Sequence, residues 1–315
     1  MRTMTYPAVK PRTIGQLRFR PIAEEALPTI RHYLNMAHSR TCDYSIGGIY
    51  MWIDYFNYRY CVWRDTLFIQ GVDEDDMSKT AYSLPIGSLP LNEAINALRR
   101  HCAATGQQLR FSAIPEDALP MFTQANPKGI EQLKNWSDYI YDAQSLATMA
   151  GNKLKKKRNH VNRFMADNPG TALEPFDKVN IEESKRLLTR LAETSKEPSL
   201  LASVERTQVY QILDNWNLFA PYFEGAVLRD ASNAVIAFTV GEVIGDTLFV
   251  HIEKMDHEVP GAGETINKLF AEMMTARHPE VKYINREEDV GDEGLRAAKE
   301  SYHPLQLLTK YNVIF

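Results

Sequence analysis

Cysteine is scarce in this 315-residue chain: Cys42, Cys61 and Cys102 lie far apart and form no C-x-x-C pair. An odd, scattered set excludes a disulfide framework and offers no zinc spacing. No metal is therefore expected, and a reducing, cytoplasmic setting is. Long apolar runs are missing as well. No window approaches ~18 uncharged apolar residues, which leaves no candidate for an integral membrane segment, and the first residues lack the apolar core of a signal peptide. A dominant charge is also lacking: 36 Lys and Arg stand against 40 Asp and Glu, a net charge of −4. Nothing global then draws the chain to nucleic acid or to an anionic bilayer, so a polyanion site has to be a local basic patch. No low-complexity linker divides the chain.

What is present is globular material, 44% hydrophobic and 24% charged, in a length that suggests two domains. Residues 1–15, with Pro7 and Pro11, read as irregular. Ile22 to Ala37 reads as a helix. Tyr58–Trp63 and Thr66–Val72 read as a hairpin turning at Arg64-Asp65. A strand near Ala81–Ile86, a helix Leu91–Ala104, a strand Gln108–Ala113, a helix Pro115–Thr123 and a strand Glu131–Tyr141 follow. The second half begins with a basic helix over 151–166 and a strand Thr171–Pro175, then two helices. Strands Ala226–Arg229, Ala234–Glu242 and Asp246–Lys254 come next, followed by a glycine loop, a helix Glu264–Ala276, a strand Val281–Asn285, a helix Glu293–Glu300 and a last strand Leu305–Ile314. The second half repeats the element order of the first. The expectation is an α/β (α+β) protein of two lobes, 1–145 and 146–315, each a mixed sheet flanked by helices.

Three stretches carry candidate chemistry. On the basic helix, Lys153, Lys156, Lys157, His160 and Arg163 share a broad polar face, and Leu154, Val161 and Met165 form an apolar stripe. Arg158 falls inside that stripe, where a guanidinium has to be paired or snorkel, and a carboxylate of Glu287, Glu288 or Asp289 is its expected partner. On the strand Asp246–Lys254, alternation puts Thr247, Phe249, His251 and Glu253 on one face. His251 and Glu253 then make either a general-base pair for an incoming amine or a satisfied cross-strand pair. The aromatic run Tyr44, Tyr50, Trp52, Tyr55, Phe56, Tyr58, Tyr60 and Trp63 either packs a core or stacks bases.

The segments GNKLKKKRNHVNRF, IEKMDHEVPGAGETINKLF and INREEDVGDEGLRAAKESYHP resemble a family of uncharacterised double-GNAT proteins. That family is similar to the C-terminal domain of lysyl-phosphatidylglycerol synthases and, more distantly, to the Fem-type peptidyltransferases. The resemblance implies two GNAT-like lobes. It puts Gly261 and Gly263 at a phosphate-binding turn, where backbone N–H groups at a helix N-terminus meet an anion. It sets Asn285, Arg286, Arg296, Lys299 and Tyr302 along the donor cleft, with Tyr302 able to protonate a leaving group and the cations able to hold a phosphate or carboxylate. Glu253 and Met255 match the synthases. Asp256 stands where they carry a basic residue, and their membrane-spanning domain is absent, which together point away from lipid aminoacylation.

Glu258 and Glu264 flank the turn. At 4–6 Å and an effective dielectric of ~20, each would repel a pyrophosphate by roughly 3–4 kcal/mol per unit charge before screening. No cofactor is therefore expected, coenzyme A being disfavoured. The expected activity is transfer of an aminoacyl group from an activated ester, aminoacyl-tRNA, to an amine or hydroxyl of a small-molecule, peptide or lipid-headgroup acceptor. A coenzyme A-dependent N-acyltransferase and a non-catalytic ligand- or RNA-binding protein are the alternatives.

Overall fold

The computed structural model describes residues 17–194 and 199–315; the irregular stretch expected over 1–15 lies outside them. The first part of the chain gives β1 (Arg20–Pro21), α1 (Leu27–Leu34), α2 (Ile46–Tyr50), β2 (Arg59–Val62), β3 (Thr66–Val72), β4 (Thr80–Tyr82), β5 (Ile86–Gly87), α3 (Leu91–Thr105), β6 (Arg110–Pro115), α4 (Leu119–Thr123), β7 (Gly129–Gln132), β8 (Asp138–Asp142) and α5 (Ala143–Thr148). The rest gives α6 (Lys155–Asp167), β9 (Ala172–Pro175), α7 (Lys178–Thr194), α8 (Leu200–Asp214), α9 (Trp216–Phe219), β10 (Phe223–Arg229), β11 (Val235–Ile244), β12 (Thr247–Met255), α10 (Ala262–Arg277), β13 (Tyr283–Asn285), α11 (Glu293–Glu300), β14 (Gln306–Leu308) and β15 (Lys310–Ile314). None of the described helices is long and apolar enough to cross a membrane.

Local chemistry accounts for several boundaries. Arg64 and Asp65 both adopt left-handed backbone, φ 50° and 52°, which matches the twist of the β2–β3 hairpin. The first helix starts at Leu27 rather than Ile22 because Pro28 is tolerated only in a first turn. α3 stops where Gly106 takes φ 69°.

Two strands expected to be continuous are each broken in two. Glu131–Tyr141 becomes β7 and β8, separated by a turn at Lys134-Asn135, and Leu305–Ile314 becomes β14 and β15, separated at Thr309. In each case the halves join different sheets. The first sheet runs β1-β2-β3-β4-β6-β15-β7, with β5 on β3, and the second runs β14-β8-β13-β12-β11-β10-β9. Read from β9, the second sheet repeats the pairing senses of the first, including one parallel pair, β12–β13 matching β4–β6. The sixth position of each sheet is filled by the last strand of the other half. A cut at 145/146 therefore does not separate the sheets: β8 belongs to the second and β15 to the first.

The largest core is shared by both halves. Ile30, Tyr60, Leu67 and Ile69 meet Leu187, Ile212, Val227, Phe238 and Ile252 across the middle of the molecule. A second core lies under α10, where Tyr139, Tyr141, Leu248, Val250, Phe270, Met274, Ile284 and Tyr302 pack together. Most of the aromatic run is spent on packing: Tyr44, Phe56 and Tyr60 are buried, and Tyr50 lies edge-on to Phe219 at 4.6 Å.

Candidate active site

β12 and β13 pair only over Thr247–Phe249 and Tyr283–Asn285. Beyond that they part, β12 running on to Met255 while the chain leaves β13 at Arg286. A register shift on β11 between Val240 and Gly241 makes Ile252 and Val250 face consecutive residues, so His251 is the extra residue of a β-bulge. A bulge reverses the alternation beyond it. His251 and Glu253 are therefore not on one face, as simple alternation predicts. Glu253 turns toward α10 and His251 toward the junction of the lobes.

Glu253 accepts from Arg286 Nη2 at 2.9 Å and from Asn267 Nδ2 at 3.3 Å. Arg286 Nη1 and Asn267 Oδ1 are buried and have no hydrogen-bond partner among the described residues. The ring of Tyr302 lies between two cations, with Lys157 Nζ 4.3 Å and Arg286 Cζ 4.8 Å from its centroid. Burial pushes the Tyr302 phenol well up despite Arg286, so its hydroxyl stays protonated. Lys157 also reaches Glu264 at 3.3 Å. Strand β12, helices α6 and α10 and the chain beyond β13 and α11 thus converge on Glu253, Arg286, Tyr302 and Lys157. Tyr302 also lines a cavity of about 340 Å³ with Tyr141, Ser145, Asn152, Lys153 and His303.

The glycine loop is occupied by the protein itself. Gly261 takes φ 90° at the N-cap of α10, and a Cβ there would lie 3.0 Å from Phe164 Cβ and 3.2 Å from His160 O, so α6 covers the turn. Gly263 packs under Met255, whose sulfur a Cβ would meet at 2.4 Å. Glu264, third residue of α10, sits at the positive end of the helix dipole and accepts from Lys157 and His160. Burial opposes its ionisation, but those partners hold its carboxyl below the usual range. Glu258 is exposed in the turn.

Several expected site residues lie elsewhere. Among the described residues Arg158 finds no carboxylate; its Nη1 donates to the carbonyls of Met149 at 2.5 Å and Gly151 at 3.1 Å and so closes the loop before α6. On α6 the apolar anchors are Val161 and Phe164, while Met165 is exposed, one position past the buried arc. Arg163 is 86% exposed and pairs with Asp167, and Lys153 and Lys156 are exposed. Arg296 pairs with Asp289. Lys299 is buried and donates to the carbonyl of Glu288. Asn285 is buried and donates to Asp138 and to the carbonyl of Arg40, both at 2.7 Å.

His251 is not free to act as a base. Nδ1 lies 2.7 Å from Glu287 and Nε2 3.1 Å from Glu242. Burial alone would lower its pKa, but the two carboxylates outweigh it and raise it to about 9. Glu242 also accepts from Arg31 and from the amides of Ile46 and Gly47 at the start of α2. A Cβ on Gly47 would fall 2.2 Å from the imidazole, so only glycine lets α2 approach this closely.

Sequence reasoning missed a second buried cluster altogether. Lys310 contacts Asp43 at 2.7 Å, Asp138 at 2.8 Å and Glu288 at 2.5 Å, with Cys42 Sγ at 3.5 Å. No local spacing marks these residues, which come from four separate parts of the chain.

Stability should fall on the alkaline side. Burial raises Asp138 to about 7 against the pull of Lys310, and raises Glu74, in the first lobe, to about 8 against a hydrogen bond from Ser112. Raised carboxyls favour the folded state while protonated, and that advantage fades as pH climbs from the ordinary ~4 through 7 to 8. The His251 contribution is full below its ordinary ~6.5 and is lost through about 9. Urea titrations are expected to give a maximum near pH ~5 and a fall of about 2–3 kcal/mol from His251 alone between pH ~6.5 and 9. A His251→Gln variant should flatten that alkaline limb, and a wild-type midpoint that rises from pH ~6 to 9 would refute the assignment.

Comparison with known proteins gives a consistent picture. The family described as phosphatidylglycerol lysyltransferase, C-terminal, matches residues 35–314. An uncharacterized protein of Mycoplasmoides gallisepticum is 20% identical over 182 residues, and the match spans 56% of that relative's length. A conserved protein of unknown function from Bacteroides thetaiotaomicron is 27% identical with a TM-score of 0.85, covering 95% of this chain and all of that one. L-PGS from Bacillus licheniformis gives a TM-score of 0.64 at 14% identity, over 96% of this chain and 94% of that one. FemX gives 0.59 at 12%, over 95% and 97%. The last two likenesses are likenesses of fold.

Proposed function

We propose, on the premise that this chain belongs to the phosphatidylglycerol lysyltransferase C-terminal family, that it transfers an aminoacyl group from an aminoacyl-tRNA ester to an amine or hydroxyl. The observation that carries the reading is the Arg286 guanidinium, whose Nη1 is buried and unpaired among the described residues and whose Cζ lies 4.8 Å from the ring centroid of Tyr302, a phenol that stays un-ionised. An unpaired buried donor calls for a ligand acceptor. Two donors in a low-dielectric cleft suit the oxyanion that forms when a nucleophile adds to an ester carbonyl. The acceptor's nitrogen or oxygen bonds to the carbonyl carbon, the ester C–O bond breaks, and the proton lost by the nucleophile ends on the departing ribose oxygen. Tyr302 can protonate that oxygen and Glu253, held by Arg286 and Asn267, can take the nucleophile's proton; a proton passing from Glu253 back to Tyr302 then restores both groups. Little covalent help is required, since orientation and charge stabilisation supply most of the rate.

Coenzyme A fits this cleft poorly, because Glu264 holds the α10 N-terminus and α6 covers the glycine turn. Filter binding at low salt should therefore retain aminoacyl-tRNA about tenfold better than the same tRNA after deacylation, with acetyl-CoA giving no measurable calorimetric signal. Equal retention of the two tRNAs, or low-micromolar acetyl-CoA binding, would remove the proposal and bring forward the coenzyme A-dependent alternative.

A further inference from the structure

The chain turns as it leaves β13, and the turn is made by a residue that disfavours it. Glu287 takes φ 58°, left-handed backbone that is uncommon for a side chain of this length. Such a conformation persists only where its surroundings hold it, and it gathers at functional sites. The neighbouring side chains are fixed one by one. Asn285 donates to the Arg40 carbonyl and to Asp138, and its own Oδ1 accepts from the Glu287 amide at 2.6 Å. Glu288 accepts from Lys310 at 2.5 Å, and its carbonyl accepts from Lys299. Asp289 accepts from Tyr139 at 2.6 Å and from Arg296 at 2.8 Å. Arg286 differs from all of them: Nη2 meets Glu253, and Nη1 is left open among the described residues. The Glu287 carboxylate reaches His251 Nδ1 at 2.7 Å. His251 Nε2 meets Glu242, which Arg31 and the amides of Ile46 and Gly47 hold in turn. A tether thus runs from the residue beside Arg286 to α2. Among the described residues it makes no hydrogen bond to Glu253, Tyr302 or Lys157.

We infer that Glu287, acting through His251, is a positioning residue: it holds the turn that presents the Arg286 guanidinium to the reacting carbonyl. The inference rests on the transfer proposed above, in which that guanidinium meets the oxyanion. What the tether supplies is reach. The His251 N–H donates to an oxygen at the end of a glutamate-length side chain, and an amide oxygen at the same place accepts as well. A side chain one methylene shorter stops a bond length away, so the turn is no longer pinned. A shift of about 1 Å in an orienting group is enough to cost a reaction up to ~100-fold. The tether ends in the first half of the chain, and Lys310, which holds Glu288, lies on β15 of the first sheet. The first lobe therefore acts on the chemistry of the second without entering its cleft.

The test uses the full chain with Glu287→Gln, Glu287→Asp and Glu287→Gly. Two readouts are taken: steady-state aminoacyl transfer, and heteronuclear NMR of the arginine Nε–H groups, with Arg286→Lys identifying the Arg286 signal. Glu287→Gln keeps the reach and is expected to stay within ~3-fold of wild-type kcat with that signal in place. Glu287→Asp keeps the charge and tolerates left-handed backbone, and glycine suits that backbone better still. Both lose the reach, so kcat should fall by ~10–100-fold with KM within ~2-fold, and the Arg286 signal should move to the position of exposed arginines. If Glu287→Gly does not fold, the Asp and Gln variants decide between them. Wild-type kcat with an unmoved signal in Glu287→Asp would overturn the inference. So would a Glu287→Gln variant as slow as Glu287→Asp, since charge rather than reach would then be at work. A signal that moves in the Asp variant and not in the Gln variant, with no aminoacyl transfer by any of the proteins, would keep the positioning role and discard the transfer reading. Transfer by wild type and by Glu287→Asp at equal rates would do the reverse.

Discussion

Lys310→Met is expected to cost about 3–5 kcal/mol, a large part of the stability of a protein this size. The side chain is 1% exposed and is the shared cation of Asp43, Asp138 and Glu288. Breaking a buried ion cluster by removing one member leaves the others uncompensated, which is far more costly than replacing the whole set. Asp138 is already raised to about 7 by burial with the ammonium in place; without it the carboxylates have to take up protons or the fold has to open. The loss in urea unfolding should accordingly shrink as pH is lowered toward ~5. A triple variant, Lys310→Met with Asp138→Asn and Glu288→Gln, should recover much of the stability. A loss under ~1 kcal/mol for Lys310→Met alone would mean that water reaches the cluster and the burial argument fails.

Arg286→Ala should lower aminoacyl transfer by about 10²–10³-fold, an effect that appears in kcat rather than in KM. Arg286→Lys should rescue little of it. The guanidinium holds Glu253 with one nitrogen, leaves Nη1 unpaired and lies over the Tyr302 ring, and a single ammonium cannot do all three. Since Arg286→Ala also strands Glu253, the double variant with Glu253→Gln separates folding from chemistry: it should unfold close to wild type and remain slow. Rates within about threefold of wild type for Arg286→Lys would place the reacting ester away from this cleft.

Much of the architecture is legible in the sequence because hairpins, caps and amphipathic helices are local. Arg64-Asp65 announces its turn, and the glycine loop followed by the α10 pattern announces the second sheet's crossover. The breaks at Lys134-Asn135 and Thr309 are not legible in the same way. Each falls inside an otherwise strand-like run, and what decides it is which distant edge each half meets. The site follows the same division. Glu253, Arg286, Tyr302 and Lys157 are visible as chemistry-bearing residues, and the fold brings them together. His251 looks equally suitable, but a bulge and two carboxylates from other segments engage both of its nitrogens. The spacing Leu154, Val161, Met165 misses the apolar edge of α6 by one position, where Phe164 rather than Met165 is buried. Glu242, Asp138 and Lys310 carry no local signal, since a buried charge is recognisable only from the partners that surround it.

The crossing of β8 and β15 has a consequence for how the chain is made. Residues 310–314 leave the ribosome after all the other strands of both sheets, yet they are the sixth strand of the first sheet, lying between β6 and β7. Until they emerge, β6 and β7 have no partner between them, and β8 has nowhere to dock until β13 and β14 exist. Early domains of a nascent chain commonly fold as they appear; here neither half can close in order of synthesis, and the gap left open is a pair of unpaired strand edges. Arrest of translation before Lys310 should therefore leave a protease-sensitive, aggregation-prone intermediate, and the whole molecule should mature in a single late step.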